Sequence, residues 1–288
     1  MRLKHGCHVL ALAAAICGAF PASAAPPQRV VSAFLCTDEY VFRLLPRERI
    51  AALSYLSADD NPVVSTIHDR VKGIPLIRGS AEEVLSLHPD LVVMYRGTNP
   101  KLKAHLIEAH IPFLEVDWAN SIADIRKVTR TLGDALGERA RADVLVAEMD
   151  RKIAAAEKLA PHPAVDALIY EPNGYANSGG VTEDVMRIAG LRDVSGGMMQ
   201  TRQGTIPVEA VIASPPALLI LNGEREATPT RADLVLKHPA LRALPSNTVI
   251  ARTSLTPLLC PGPWSIDVAE TLAELGRKAS LASARSQP

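Results

Sequence analysis

Short apolar runs rich in β-branched residues alternate along this chain with stretches whose apolar positions recur every three or four residues, the pattern of parallel sheets covered by helices on both faces. In the first half the runs Arg29 to Ala33, Ile50 to Ser54, Leu91 to Met94 and Phe113 to Val116 predict strands. Helical spacing lies between them at Thr37 to Leu45, Ala81 to Leu87 and Pro100 to Ala109. The second half predicts strands at Ala167 to Tyr170, Leu218 to Leu221 and Thr248 to Ala251, with helices near Thr182 to Ala189, Pro207 to Ala213 and Ser265 to Ser280. One stretch breaks the alternation. Ser121 to Leu159 has no strand signal and is rich in helix formers, interrupted only by Gly133 and Gly137. Within it Ala142, Leu145, Val146, Met149 and Ile153 mark one face of an amphipathic helix, which Pro161 and Pro163 then end. This long helix reads as a spine between two α/β halves; a crossover helix within one continuous sheet is the other topology the pattern allows.

The two halves repeat a motif. Ser80 to Asp90 forms a short helix, a proline stop and then the strand Leu91-Val92-Val93; Pro207 to Ala217 does the same ahead of Leu218-Leu219-Ile220. Glu82 and Glu209 fall at the same place, in the first helical turn, where a carboxylate suits the positive end of the helix dipole. An acidic residue there needs no partner, but two at matched positions in two halves point to a shared task.

The N-terminus reads as an export leader: Arg2 and Lys4, an apolar run from Val9 to Phe20, then Pro21 and the triplet Ala22-Ser23-Ala24. That run is shorter than the about 20 residues a transmembrane helix needs. Cleavage after Ala24 gives a soluble product; a lipid anchor at Cys17 is the competing reading, against which the bulky Ile16 counts. Without the leader, 29 basic residues face 31 acidic ones, so nothing points to a nucleic acid partner. Of the four cysteines only Cys36 and Cys260 remain, in a compartment that permits disulfides. Three states are open to them: a disulfide or paired thiols, soft ligands to a thiophilic metal together with Met198 or Met199, or inert buried thiols. His68, His88, His105 and His110 are scattered, so no resident metal is expected.

Ligands of open α/β sheets lie beyond the carboxyl ends of the strands. The loops that follow the predicted strands hold Phe34, Tyr55, Tyr95, Trp118, Tyr175 and Trp264, with Arg96 and Asn173 nearby. Together with Cys36 and Cys260 these are the candidate ligand-binding residues. They suit a large, partly apolar ligand with polar edges.

The ordered set of Arg29-Val30-Val31-Ser32, Gly73, Glu82 through Val92, Ala109-His110-Ile111-Pro112, the long helix, the Glu209 copy and Pro261-Gly262-Pro263 resembles the class III periplasmic substrate-binding proteins of ABC importers, which carry cobalamin, ferric siderophores and haem. The resemblance spans the chain after its leader. It implies two Rossmann-like lobes joined by a long rigid α-helix, with the ligand cleft between them: residues 25–132 and 162–288 as lobes, 133–161 as the linking helix and 1–24 as the signal peptide. It further implies a periplasmic monomer, with no cofactor of its own, that delivers an organic or metal-chelate ligand to a permease dimer with ATPase subunits. Glu82 and Glu209 would dock on permease arginines, and a stiff linker would allow only small lobe movement. Haem carriers of this kind usually place a tyrosine just before the helix that begins at Ala81; here Gly73 to Gly79 has none, which moves the expectation to cobalamin, a siderophore or a similar chelate. Two rival functions are a periplasmic ligand sensor and an exported thiol-dependent enzyme. For an enzyme the sequence offers no Gly-x-Ser-x-Gly elbow, phosphate loop or His-Glu-x-x-His.

Overall fold

The computed structural model describes residues 25–59, 64–199, 201–222 and 231–285. The leader expected at 1–24 and most of the loop after Asn222 lie outside them. The first lobe runs β1 (Val30–Ser32), α1 (Leu35–Leu44), β2 (Ile50–Ser54), β3 (Leu76–Ile77), α2 (Ala81–Ser86), β4 (Leu91–Tyr95), α3 (Pro100–Glu108) and β5 (Phe113–Val116). Its parallel sheet has the order β3-β2-β1-β4-β5. Both faces are covered, so the strands are apolar on alternate and on adjacent positions alike; Val30, Val31, Val92, Val93 and Met94 are all buried.

Two helices follow, α4 (Ile122–Leu136) and α5 (Arg139–Leu159). Of the two expected interruptions of the long helical stretch, only Gly137 divides it, its φ of 70° ending α4. Gly133 breaks nothing. It stays inside α4 because α5 passes so close that a side chain at 133 would meet the Ala142 Cβ at 2.4 Å. Positions 133–136 of the expected linking helix thus belong to α4, and the continuous helix begins at Arg139.

The second lobe runs β6 (Val165–Tyr170), β7 (Tyr175–Asn177), α6 (Gly180–Ile188), β8 (Leu191–Asp193), β9 (Gln203–Thr205), α7 (Val208–Ala213), β10 (Leu218–Asn222), α8 (Pro239–Arg242), β11 (Val249–Thr253), α9 (Thr256–Leu259) and α10 (Ala269–Arg285). Its four-stranded parallel sheet has the order β11-β10-β6-β8, and β7 pairs with β9 as a separate antiparallel ribbon. The strands β3, β7, β8 and β9 have two or three residues each, too few to leave a periodicity in the sequence. With β3 set aside, the two sheets match: β2-β1-β4-β5 corresponds to β8-β6-β10-β11. The sequence repeat falls where this duplication requires, with α2 leading into β4 and α7 into β10.

One apolar cluster runs through both lobes, from Tyr40, Val41 and Leu44 on α1, through Met149 on α5, to Ile266 and Leu272. Smaller clusters cover the outer sheet faces, around Val92 and Leu106 in the first lobe and around Leu219 and Leu236 in the second. The lobes therefore share packed core rather than meeting only at a hinge, which stiffens their relative position.

Candidate ligand cleft

Each sheet reverses its strand order at one point, between β1 and β4 and between β6 and β10, and the loops leaving the strands there diverge to open a crevice. In the first lobe this point is aromatic. Phe34 immediately precedes α1, Tyr95 ends β4 and Trp118 lies just beyond β5, so three neighbouring strand ends bring three rings together. Tyr95 and Trp118 stack at 4.2 Å with planes 6° apart, and Phe34 meets both edge-on at 5.5 and 5.9 Å. Tyr95 is fully buried beneath this cluster, whereas Trp118 is 43% exposed. Trp118 is thus the most exposed ring of the three. Tyr95, expected among the binding residues, supports it from below.

The Tyr95 hydroxyl is buried and has no hydrogen-bond partner among the described residues, and burial pushes its pKa upward. A buried unpaired hydroxyl costs about 1–3 kcal/mol. Tyr95→Phe is accordingly expected to raise unfolding stability by about 1 kcal/mol with the stack intact, as read by urea denaturation; a loss of stability would show that the hydroxyl is satisfied.

Arg96 does not offer a free charge. Its Nε donates to the Asp117 carboxylate at 2.5 Å, Glu115 lies 3.6 Å from the guanidinium, and the pair with Asp117 raises its pKa. Tyr55 follows β2, half-exposed, with the Arg78 guanidinium 4.7 Å from its ring centre.

In the second lobe the strand ends enclose a cavity of about 400 Å³, lined among others by Glu171, Tyr175, Thr182, Asn222 and Leu259. Asn173 takes a left-handed conformation in the turn between Glu171 and Tyr175, and is exposed. Glu171 directly follows β6 and Asn222 ends β10, so the order reversal brings them together: the Asn222 amide donates to a Glu171 oxygen at 2.6 Å. The Asn222 carbonyl oxygen accepts from the Leu255 amide at 3.0 Å, which fixes the orientation of the side chain. Burial raises the Glu171 pKa, and the Asn222 hydrogen bond opposes that rise in part. Sequence reasoning placed the loop starting at Glu171 in the cleft and passed over this residue and Asn222. The available signal was a carboxylate directly after the apolar run Ala167 to Tyr170.

Cys36 and Cys260 form a disulfide with Cα atoms 4.9 Å apart. Both are buried, so they do not line the cleft as expected but tie the first turn of α1 to the end of α9. Phe34 lies two residues before one cysteine and Leu259 one residue before the other, so the bond sits between the two half-sites. Trp264 is also corrected. It is 4% exposed, donates its indole N–H to the Cys260 carbonyl at 2.8 Å, and packs at 4.8 Å on Tyr40, whose hydroxyl donates to the Pro261 carbonyl. It is part of the lobe junction. Cys36 lies in the first turn of α1, and Cys260 and Trp264 lie beyond α9, so their side chains are consumed by contacts between distant segments.

Glu82 and Glu209 are each the second residue of their helix, α2 and α7, and both are exposed with no ion pair or hydrogen bond to another described residue. Their neighbour Glu83 is different in kind: it accepts from the Ser80 and Arg78 amides and caps α2.

The model of the periplasmic binding protein family matches residues 56–251, which takes in parts of both lobes and the whole of α5. The chain belongs to the periplasmic binding protein family. Members of this family bind ligands and present them to the permeases of ABC importers. Comparison with curated proteins finds no match. Among solved structures, this binding protein is similar to the periplasmic heme-binding protein RhuT from Roseiflexus sp. RS-1, at 22% identity over 88% of this chain and 99% of that one, TM-score 0.70. It is similar also to the periplasmic heme-binding protein HutB of Vibrio cholerae, at 17% over 86% and 98%, TM-score 0.71. A third is the vitamin B12 binding protein BtuF of Vibrio cholerae, at 14% over 88% and 98%, TM-score 0.67. These likenesses confirm the two-lobed fold of the binding protein. None of its described helices is long and apolar enough to cross a membrane.

Proposed function

We propose that this chain is the periplasmic substrate-binding component of an ABC importer, which holds a cobalamin-, siderophore- or similar chelate-type ligand between its lobes as a monomer and delivers it to a permease dimer with its ATPase subunits. The observation that carries the reading is the aromatic platform of Phe34, Tyr95 and Trp118, which ends in an exposed ring and is tied by the disulfide to the cavity-bearing second lobe. A flat or rigid ligand can stack on such a ring and fill the cavity beyond it. Solved relatives of this fold are named for haem and for vitamin B12. A haem iron takes an axial side chain such as histidine or tyrosine. Here the platform ends in a tryptophan and the Tyr95 hydroxyl beneath it is buried, so the platform itself supplies no axial side chain and suits a chelate that brings its own coordination shell.

Native mass spectrometry of the protein isolated from periplasm is expected to show a bound chelate. Trp118→Ala is expected to weaken that complex about tenfold, from the loss of roughly 1.4 kcal/mol of stacking and burial, in isothermal titration. Undiminished affinity in the variant would remove the platform from the site.

A further inference from the structure

The cavity of the second lobe has an electrostatic character that narrows the ligand. Among the described residues that line it, Glu171 is the only charged one and Tyr175 the only other that titrates. One carboxylate oxygen of Glu171 accepts from Asn222. The other has no hydrogen-bond partner among the described residues. No cation lines the cavity among the described residues, and across the cleft Arg96 is already matched to Asp117 and Glu115. A ligand edge bearing carboxylates would meet an acceptor with nothing to neutralise it. An edge bearing N–H or O–H groups would meet a partly desolvated carboxylate oxygen, where charge-assisted hydrogen bonds are strong.

Resting on the reading above, we propose that Glu171 is the specificity-determining residue of the cleft, its unpaired carboxylate oxygen selecting ligands that present amide, hydroxyl or ammonium donors beyond the part stacked on Trp118. Asn222 is the positioning residue for this contact. Because its carbonyl is held by the Leu255 amide, its N–H₂ must point at Glu171. That arrangement makes glutamine at 171 an informative replacement. The glutamine carbonyl would be drawn to the Asn222 donor, which turns the amide N–H₂ toward the cavity and reverses the hydrogen-bonding sense of the site without changing its size.

The probes are cyanocobalamin, whose rim carries amides; ferrioxamine B, a ferric hydroxamate with a pendant ammonium; and haemin, whose edge carries two carboxylates. Each is titrated calorimetrically into the wild type, Glu171→Gln and Trp118→Ala, from neutral to acidic pH. A donor-bearing probe should bind the wild type more tightly than haemin does. Glu171→Gln should weaken that binding at least about tenfold, the size of a charge-assisted hydrogen bond. Wild-type affinity should also fall as pH drops and Glu171 takes up a proton, starting above the ordinary carboxylate range because burial raises its pKa, while the glutamine variant should be flat. The wild-type pH profile tests the idea even if the variant folds poorly. If Trp118→Ala loses binding but Glu171→Gln does not and the wild-type profile is flat, the cleft reading stands and the role of Glu171 is overturned; tightest binding of haemin overturns it too. If no probe binds the wild type, the chelate reading itself fails and takes this inference with it.

Discussion

Replacing Glu82 and Glu209 together by alanine is expected to abolish uptake through the cognate permease while leaving ligand affinity and thermal stability unchanged. Both residues are exposed at the second position of matched helices, one per lobe, and neither has a described partner whose loss would disturb the fold. An unpaired carboxylate on each lobe is what a pair of permease arginines could grip, and a charge-assisted contact of this kind is worth about 1.5–3 kcal/mol. Losing both would weaken docking by roughly two to four orders of magnitude at the same constant, enough to stop delivery. Either single replacement should leave partial uptake. Glu83→Ala serves as the control, because that residue caps α2 through Ser80 and its loss should lower stability with docking retained. Radiolabelled ligand uptake in a strain relying on the variant would decide the matter; full uptake by the double variant would end the docking proposal.

Cys36→Ala with Cys260→Ala has the second large expected effect. The disulfide closes a loop across a sequence separation of 224 residues, so removing it frees a long segment of the unfolded chain. The cost is expected to be about 2–4 kcal/mol, within the usual range for a native disulfide, and to appear as a melting temperature lower by roughly 5–15 °C for a chain of this size. The bond also holds α1 against the end of α9 between the two half-sites, so the variant should bind its ligand more weakly even well below its melting temperature. Calorimetric melting and titration of the same samples separate the two effects. An unchanged melting temperature would show that the shared core through Tyr40, Met149 and Ile266 sets the junction without the bond.

Both expectations began as sequence features, and the structure changed them unequally. Glu82 and Glu209 lie exposed in the first turns of α2 and α7, where local spacing alone puts them, and their docking role is a proposal. Cys36, Cys260 and Trp264 follow β1 and β11 along the chain as expected, but α1 and the turn after α9 bury their side chains in the lobe junction. Position relative to the cleft depends on α1 packing against residues 260–264, a contact between opposite ends of the chain.

By itself, then, the sequence determined the strands at Ile50–Ser54 and Phe113–Val116, the duplicated helix and strand ahead of β4 and β10, the bridging helix along Ala142, Val146 and Met149, and hence two α/β lobes. Each of these follows from periodicity over a few consecutive residues, where local patterning and burial agree. Tertiary structure alone decided that Gly133 is a crossing point rather than a break, that Tyr95 lies under Trp118 instead of beside a ligand, and that Glu171 and Asn222 meet. The last two follow from strand order: β1, β4 and β5 are neighbours, as are β6 and β10, although long stretches of chain separate them. No local pattern encodes which strands will be neighbours, because that choice is made by the packing of the whole sheet against its helices.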